Sequence, residues 1–189
     1  MSARVEARRL PAAWVVVAAG MTVLLLRPFA TAQADTRVVL LAASYIALGL
    51  ASIAVPAERA LERSRPYLAP APVLVVGVVA VAVAATAGGT PVPIPWAASA
   101  LPLSLCAAVA EEALFRRVAF GRLERWGPVV AIGGSAVLFG LVHVPAYGAA
   151  ALPVDVGAGL LFGWQRWASG TWTVPAATHA VANVMAVLG

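Results

Sequence analysis

The stretch LPLSLCAAVAEEALFR (residues 101–116) contains two adjacent glutamates, Glu111 and Glu112, directly after ten uncharged residues. Arg116 follows four positions after Glu112. A carboxylate at membrane depth costs about 2.5–3.5 kcal/mol on insertion scales, so acidic residues in membrane spans are rare and mark functional sites. The stretch therefore predicts a membrane helix that carries chemistry.

The composition of the whole chain indicates a polytopic membrane protein. Of its 189 residues, 62% are hydrophobic and only 11% are charged, whereas soluble domains average about 25% charged residues. Seven apolar runs each approach the ~20 residues that a helix needs to cross a bilayer. We therefore predict an all-α bundle of about seven transmembrane helices, forming a single membrane domain over residues 1–189, with spans near 10–26, 38–56, 67–88, 96–121, 127–147, 149–165 and 171–188.

The arginines predict the orientation of the chain. All 13 basic residues are arginines, and eleven of them fall on one side of the predicted spans. Only Arg27 and Arg37 fall on the other side. The positive-inside rule then predicts a cytoplasmic N-terminus and an external C-terminus. We expect an integral protein of a bacterial plasma membrane that contacts the lipid bilayer and has no nucleic-acid partner.

The first apolar run has a second interpretation. Arg8-Arg9, an apolar run and the small-residue sequence Ala32-Gln33-Ala34 resemble a cleaved signal peptide. This alternative leaves the orientation of the later spans unchanged.

The two glutamates of the fourth span have different expected roles. Glu112 precedes Arg116 by four residues, which is the favourable order for an ion pair on a helix. Glu111 is expected to point elsewhere and to remain free to act as a general acid or base. The structural alternative is a salt bridge at the membrane surface.

Both histidines of the chain lie in later apolar spans. Phe139 and His143 are four residues apart, as are His179 and Asn183, so each pair shares a helical face. Each histidine alone is as consistent with a packing role as with a functional one. Together with Glu111 they predict a polar cavity between spans 4, 5 and 7, which we expect to open towards the cytoplasmic half of the membrane.

The three motifs Glu111-Glu112-x-x-x-Arg116, Phe139-x-x-x-His143 and His179-x-x-x-Asn183 resemble those of the CPBP family of intramembrane proteases. That family includes the type II CAAX prenyl endopeptidases and bacteriocin-processing or immunity proteins. The resemblance covers about residues 105–185. One departure is Arg117, which stands where the family usually has glycine.

The resemblance implies a role for each motif residue. Glu111 would be the general base that activates a water with help from His143. His179 and Asn183 would stabilise the oxyanion of a tetrahedral intermediate. The supporting residues would hold the fourth helix and shape the wall beside the histidine: Glu112, Arg116 and Phe139.

The resemblance leaves the use of a metal open. Glu111, His143 and His179 form a ligand set that suits Zn²⁺ with one open position. A metal-free, glutamate-dependent mechanism also fits the family.

The resulting functional prediction is an intramembrane endopeptidase that acts on a peptide or a membrane-anchored protein. One alternative is a non-catalytic membrane partner or bacteriocin-immunity protein. A less favoured one is a small transporter that uses Glu111 and Asp155. Asp155 is expected either to line the cavity or to cap a helix broken after Pro153.

Overall fold

The computed structural model describes residues 3–29, 34–56, 67–87 and 97–188, and all regular structure in these ranges is helical. The predicted loop at 88–95 and the arginines at 59, 63 and 65 lie outside the described residues. The helices are α1 (Ala3–Leu26), α2 (Ala34–Ala54), α3 (Pro70–Ala87), α4 (Ala97–Glu112), α5 (Phe120–Leu123), α6 (Pro128–Tyr147), α7 (Leu152–Ser169) and α8 (Thr173–Leu188). Because α4 and α5 form one rod, the all-α prediction with about seven helices is confirmed.

A π-helical segment, Ala113–Ala119, joins α4 to α5 without a break. It follows Glu112 directly and carries Arg116 and Arg117. Single π-helical turns within α-helices occur frequently at functional sites. The sequence carries no signal that we recognised for this change of helical pitch.

Within the described ranges, three helical segments are long and apolar enough to cross a membrane, as judged by length and composition: Ala12–Phe29, Asp35–Ala54 and Pro128–Tyr147. Pro70–Thr86 and Thr173–Leu188 are apolar but shorter. Large apolar side chains cover much of the outer surface; Val129 and Val154, for example, are 82% and 73% exposed. Exposed apolar area of this extent suits contact with lipid rather than water.

Polar contacts define one end of the bundle, which we call the arginine-rich end. Arg117 donates hydrogen bonds to the carbonyls of Ser52 and Val55, at 2.5 and 2.8 Å. The amide of Leu68 donates to the carbonyl of Ala168 at 3.0 Å. The end of α2, the residues before α3, the π segment and the end of α7 therefore meet at this end.

Two glycines allow α6 and α7 to pack closely. A Cβ at Gly159 would lie 2.8 Å from the Cα of Ala136, and one at Gly163 would lie 3.2 Å from the Cα of Ile132. Such a close approach is typical of small residues four apart in membrane helices. The carbonyl of Gly159 also accepts a hydrogen bond from Nη2 of Arg116, in the π segment, at 3.0 Å.

Replacing Gly159 by Ala should destabilise the bundle by about 1–3 kcal/mol, because the added methyl group forces α6 and α7 apart. The matched control is Gly157→Ala on the same helix, since a Cβ there meets nothing within 4 Å. Thermal unfolding in detergent would compare the two variants. Equal melting temperatures would contradict the packing argument.

Candidate active site

The predicted site residues come together from three parts of the fold. The rod that contains α4 supplies Glu111, Glu112 and Arg116; α6 supplies Phe139 and His143; α8 supplies His179 and Asn183. Four of them line one cavity: Glu111, His143, His179 and Asn183. The other three lie behind the cavity wall and contact the lining residues.

The cavity has a volume of about 380 Å³ and lies between α1, α2, α4, α6 and α8. Its polar groups cluster around Glu111, whose side chain is only 2% exposed. Apolar side chains of α2, α4 and α8 form much of the remaining wall, including Val38, Leu41, Leu103, Ala107 and Val187. This combination suits a ligand with an apolar body and a polar group to be positioned.

His143 faces Glu111 across the base of the cavity. Its Nε2 atom lies 3.7 Å from Oε2 of Glu111. Its Nδ1 atom lies 2.8 Å from the carbonyl oxygen of Phe139, one helical turn earlier. Because a carbonyl only accepts hydrogen bonds, Nδ1 carries a proton, and in the neutral form of the ring Nε2 presents its lone pair on the Glu111 side.

Arg27 is the site residue that sequence reasoning missed. Its Nη1 atom lies 2.5 Å from Oε1 of Glu111, and the two side chains are 12% and 2% exposed. The expectation that Glu111 remains free of a charged partner was therefore wrong. The signal was present in the sequence, because Arg27 and Arg37 were the two exceptions to the arginine distribution, and both line the cavity.

Glu112 connects Arg116 to His179. Its Oε2 atom lies 3.2 Å from Nε of Arg116, in the ion pair that the spacing predicted. Its Oε1 atom lies 3.1 Å from Nδ1 of His179. Because a carboxylate accepts hydrogen bonds, Nδ1 of His179 is the donor, and the orientation of this ring is fixed from behind the cavity.

Arg116 is fully buried, and its charge is balanced on more than one side. The guanidinium group lies 4.7 Å from the ring centre of Phe139 and 5.4 Å from that of Phe162. Aromatic faces attract cations at such distances. Glu112 and these two rings therefore stabilise the buried positive charge. Phe162 also stacks on His179, with the ring centres 5.1 Å apart, so the charge lies directly behind that histidine.

Asn183 links α8 to α4. Its Nδ2 atom donates a hydrogen bond to the carbonyl of Ser104 at 2.9 Å. A side-chain amide has two N–H groups, so the second one is available to a ligand in the cavity. Ser104 also lines the cavity, so this bond lies at its wall.

The proposed metal ligands do not form a metal centre in this arrangement. Among the described residues, no group of three or more His, Cys, Asp or Glu side chains is placed to hold a metal ion. One oxygen of Glu111 contacts the cation Arg27. The donor set Glu111, His143 and His179 therefore does not fit zinc as placed.

Asp155 lies outside the cavity lining. It falls in the first turn of α7, and the residue at the N-cap position is Ala151, without a side-chain capping bond. An acidic side chain in the first turn interacts favourably with the helix dipole. Asp155 therefore neither caps α7 nor lines the cavity, but it is close enough to His143, Glu111 and Arg27 to interact with them electrostatically.

Residues 93–185 match the family described as type II CAAX prenyl endopeptidase, Rce1-like. No curated protein and no solved structure matches the chain. The matched region covers just under half of the chain and contains all three motifs, in agreement with the resemblance to CPBP proteases. This match and the apolar helices support an integral membrane protein with endopeptidase activity of the CAAX-protease type.

The contact between Arg27 and Glu111 should be visible as energetic coupling. Arg27→Gln and Glu111→Gln should each lower the free energy of unfolding, because each leaves the other charge unpaired in a largely buried place. The double variant should recover part of the loss, with a coupling of about 0.5–3 kcal/mol. Reversible unfolding of the four proteins in detergent would measure it, and strictly additive losses would show that the pair is not formed.

Proposed function

We propose that the chain hydrolyses a peptide bond in a peptide or membrane-anchored protein, with Glu111 and His143 activating a water and His179 and Asn183 stabilising the oxyanion. The observation that carries the proposal is the 3.7 Å separation of Oε2 of Glu111 and Nε2 of His143. Both atoms are hydrogen-bond acceptors that face one cavity. A water within hydrogen-bonding distance of both atoms donates one hydrogen to each and directs a lone pair towards the substrate.

The reaction then needs one proton to move twice. Glu111 takes a proton from the water as its oxygen attacks the scissile carbonyl carbon. The C–N bond of the tetrahedral intermediate breaks, and the leaving amine receives the proton from Glu111. Such general acid–base steps contribute typically about 10²–10⁴-fold to the rate.

The two oxygens of Glu111 divide the work. Oε1 contacts Arg27, and Oε2 faces His143. Arg27 offsets the cost of a buried carboxylate and fixes the rotation of the carboxyl group. It is thus a positioning residue, which lies just after α1 and therefore outside the region that matches the family.

His179 and Asn183 are suited to the developing negative charge. The Nδ1 atom of His179 is held by Glu112, which leaves its Nε2 atom for the substrate. Because Nδ1 already donates to Glu112, Nε2 donates to the substrate oxygen when it also carries a proton. Preorganised donors of this kind are often the largest catalytic contribution in acyl transfer.

The proposed mechanism runs without a metal. The positions of Glu111, His143 and His179 support this choice, because they do not converge on one ion and because Arg27 already neutralises the carboxylate. The proposal predicts that a metal chelator leaves cleavage intact. Loss of activity with a chelator and recovery with Zn²⁺ would favour the zinc alternative.

The alternative functions receive less support from the site. A proton-coupled transporter was expected to use Asp155, which does not line the cavity. A non-catalytic partner or immunity protein would not require a base, so its function should survive Glu111→Gln.

Glu111→Gln should lower cleavage by about 10²–10⁴-fold, because it removes the base while preserving shape. Glu124→Gln is the control, since it neutralises a carboxylate that follows α5, at the opposite end of the bundle from the cavity, and should keep activity. The assay would incubate purified proteins in liposomes with a quenched peptide library that includes lipidated peptides, followed by mass spectrometry. Equal cleavage by wild type and Glu111→Gln would refute the proposed mechanism.

A further inference from the structure

The outermost residues of the cavity all lie near one end of the bundle. Arg27 lies just after α1 and Arg37 near the start of α2. Ala100 is near the start of α4, Tyr147 is the last residue of α6, and Val187 is at the end of α8. We call this the cavity end, and it is opposite to the arginine-rich end in every one of these helices.

The position of His143 shows the same asymmetry. His143 is four residues from the end of α6 at Tyr147, or about 6 Å at 1.5 Å per residue. It is 15 residues from the start of α6 at Pro128, or about 22 Å on the same measure. The expectation that the site opens towards the same side as the arginine cluster of the fourth span was therefore wrong.

The arginine distribution assigns the arginine-rich end to the cytoplasm. Four of the eleven arginines on that side have structural roles, because they are buried or bind a neighbouring helix: Arg116, Arg117, Arg122 and Arg166. Of the other seven, three lie in the first two turns of α1, three lie in the sequence between α2 and α3, and Arg125 follows α5. The bias that sets orientation therefore persists after the structural arginines are removed.

The two arginines of the cavity end do not weaken this assignment. Arg27 binds Glu111, and both Arg27 and Arg37 line the cavity. Their presence is thus explained by the site and does not require a cytoplasmic location. The charge asymmetry and the position of the cavity are separate observations that lead to one orientation.

We infer that the cavity opens on the non-cytoplasmic face of the membrane. The substrate is then a segment at or beyond the outer surface, such as the outer flank of a membrane anchor or an exported lipidated peptide. Its apolar part would contact the cavity wall formed by Val38, Leu41, Leu103 and Val187. The orientation stands on its own, whereas the nature of the substrate rests on the proposed function.

Cysteine labelling tests the orientation without any catalysis. Cys106 is the only cysteine of the chain, so a Cys106→Ala background accepts one reporter cysteine at a time. Thr36→Cys reports on the cavity end, and Trp126→Cys reports on the arginine-rich end; both positions are exposed. Right-side-out membrane vesicles would be treated with a membrane-impermeant maleimide before and after permeabilisation, and detergent-denatured protein would show that each cysteine is reactive.

The inference predicts that Thr36→Cys is labelled in intact vesicles and that Trp126→Cys is labelled only after permeabilisation. The reverse pattern, or labelling of both positions in intact vesicles, would overturn it. Adding Glu111→Gln to both reporters should leave the pattern unchanged. The predicted pattern together with an absence of peptide cleavage would refute the proposed function and leave the orientation intact.

Discussion

The structure depends on the need to pair charges that are withdrawn from water. Two adjacent carboxylates, Glu111 and Glu112, are 2% and 0% exposed in the middle of an apolar bundle. Each unpaired buried charge would cost several kcal/mol. Each carboxylate is paired with its own cation. Glu111 contacts Arg27, which lies just after α1, and Glu112 contacts Arg116 in the π segment. The pair with Arg27 joins the segment after α1 to α4, whereas the pair with Arg116 lies within one continuous rod.

The two pairs also separate the tasks at the site. Glu112 and Arg116 lie behind the cavity and hold His179 in place through a contact of 3.1 Å. Glu111 lies in the cavity and retains one oxygen towards His143. In the proposed mechanism, Glu112 is therefore the structural carboxylate and Glu111 is the one that exchanges a proton. The same two residues would be indistinguishable by composition or burial alone.

Sequence reasoning predicted the helices and brought the three motifs into one site, because apolar run length and four-residue spacing are local properties. It predicted the pair of Glu112 and Arg116 for the same reason. It did not predict the contact between Arg27 and Glu111, which joins residues 84 positions apart and depends on how α1 packs. The end of the bundle at which the cavity opens also depends on packing, since it is determined by which helix ends diverge. The π segment and the position of Asp155 outside the cavity are likewise products of packing.

The central claim is that Glu111 and His143 act on one water as a unit. The most direct measurement is the cleavage rate of Glu111→Gln, His143→Ala and the double variant, relative to wild type. Residues that act as a unit show strongly non-additive losses, so the account predicts that the double variant is about as slow as the slower single variant. A loss in the double variant equal to the product of the two single losses would contradict it.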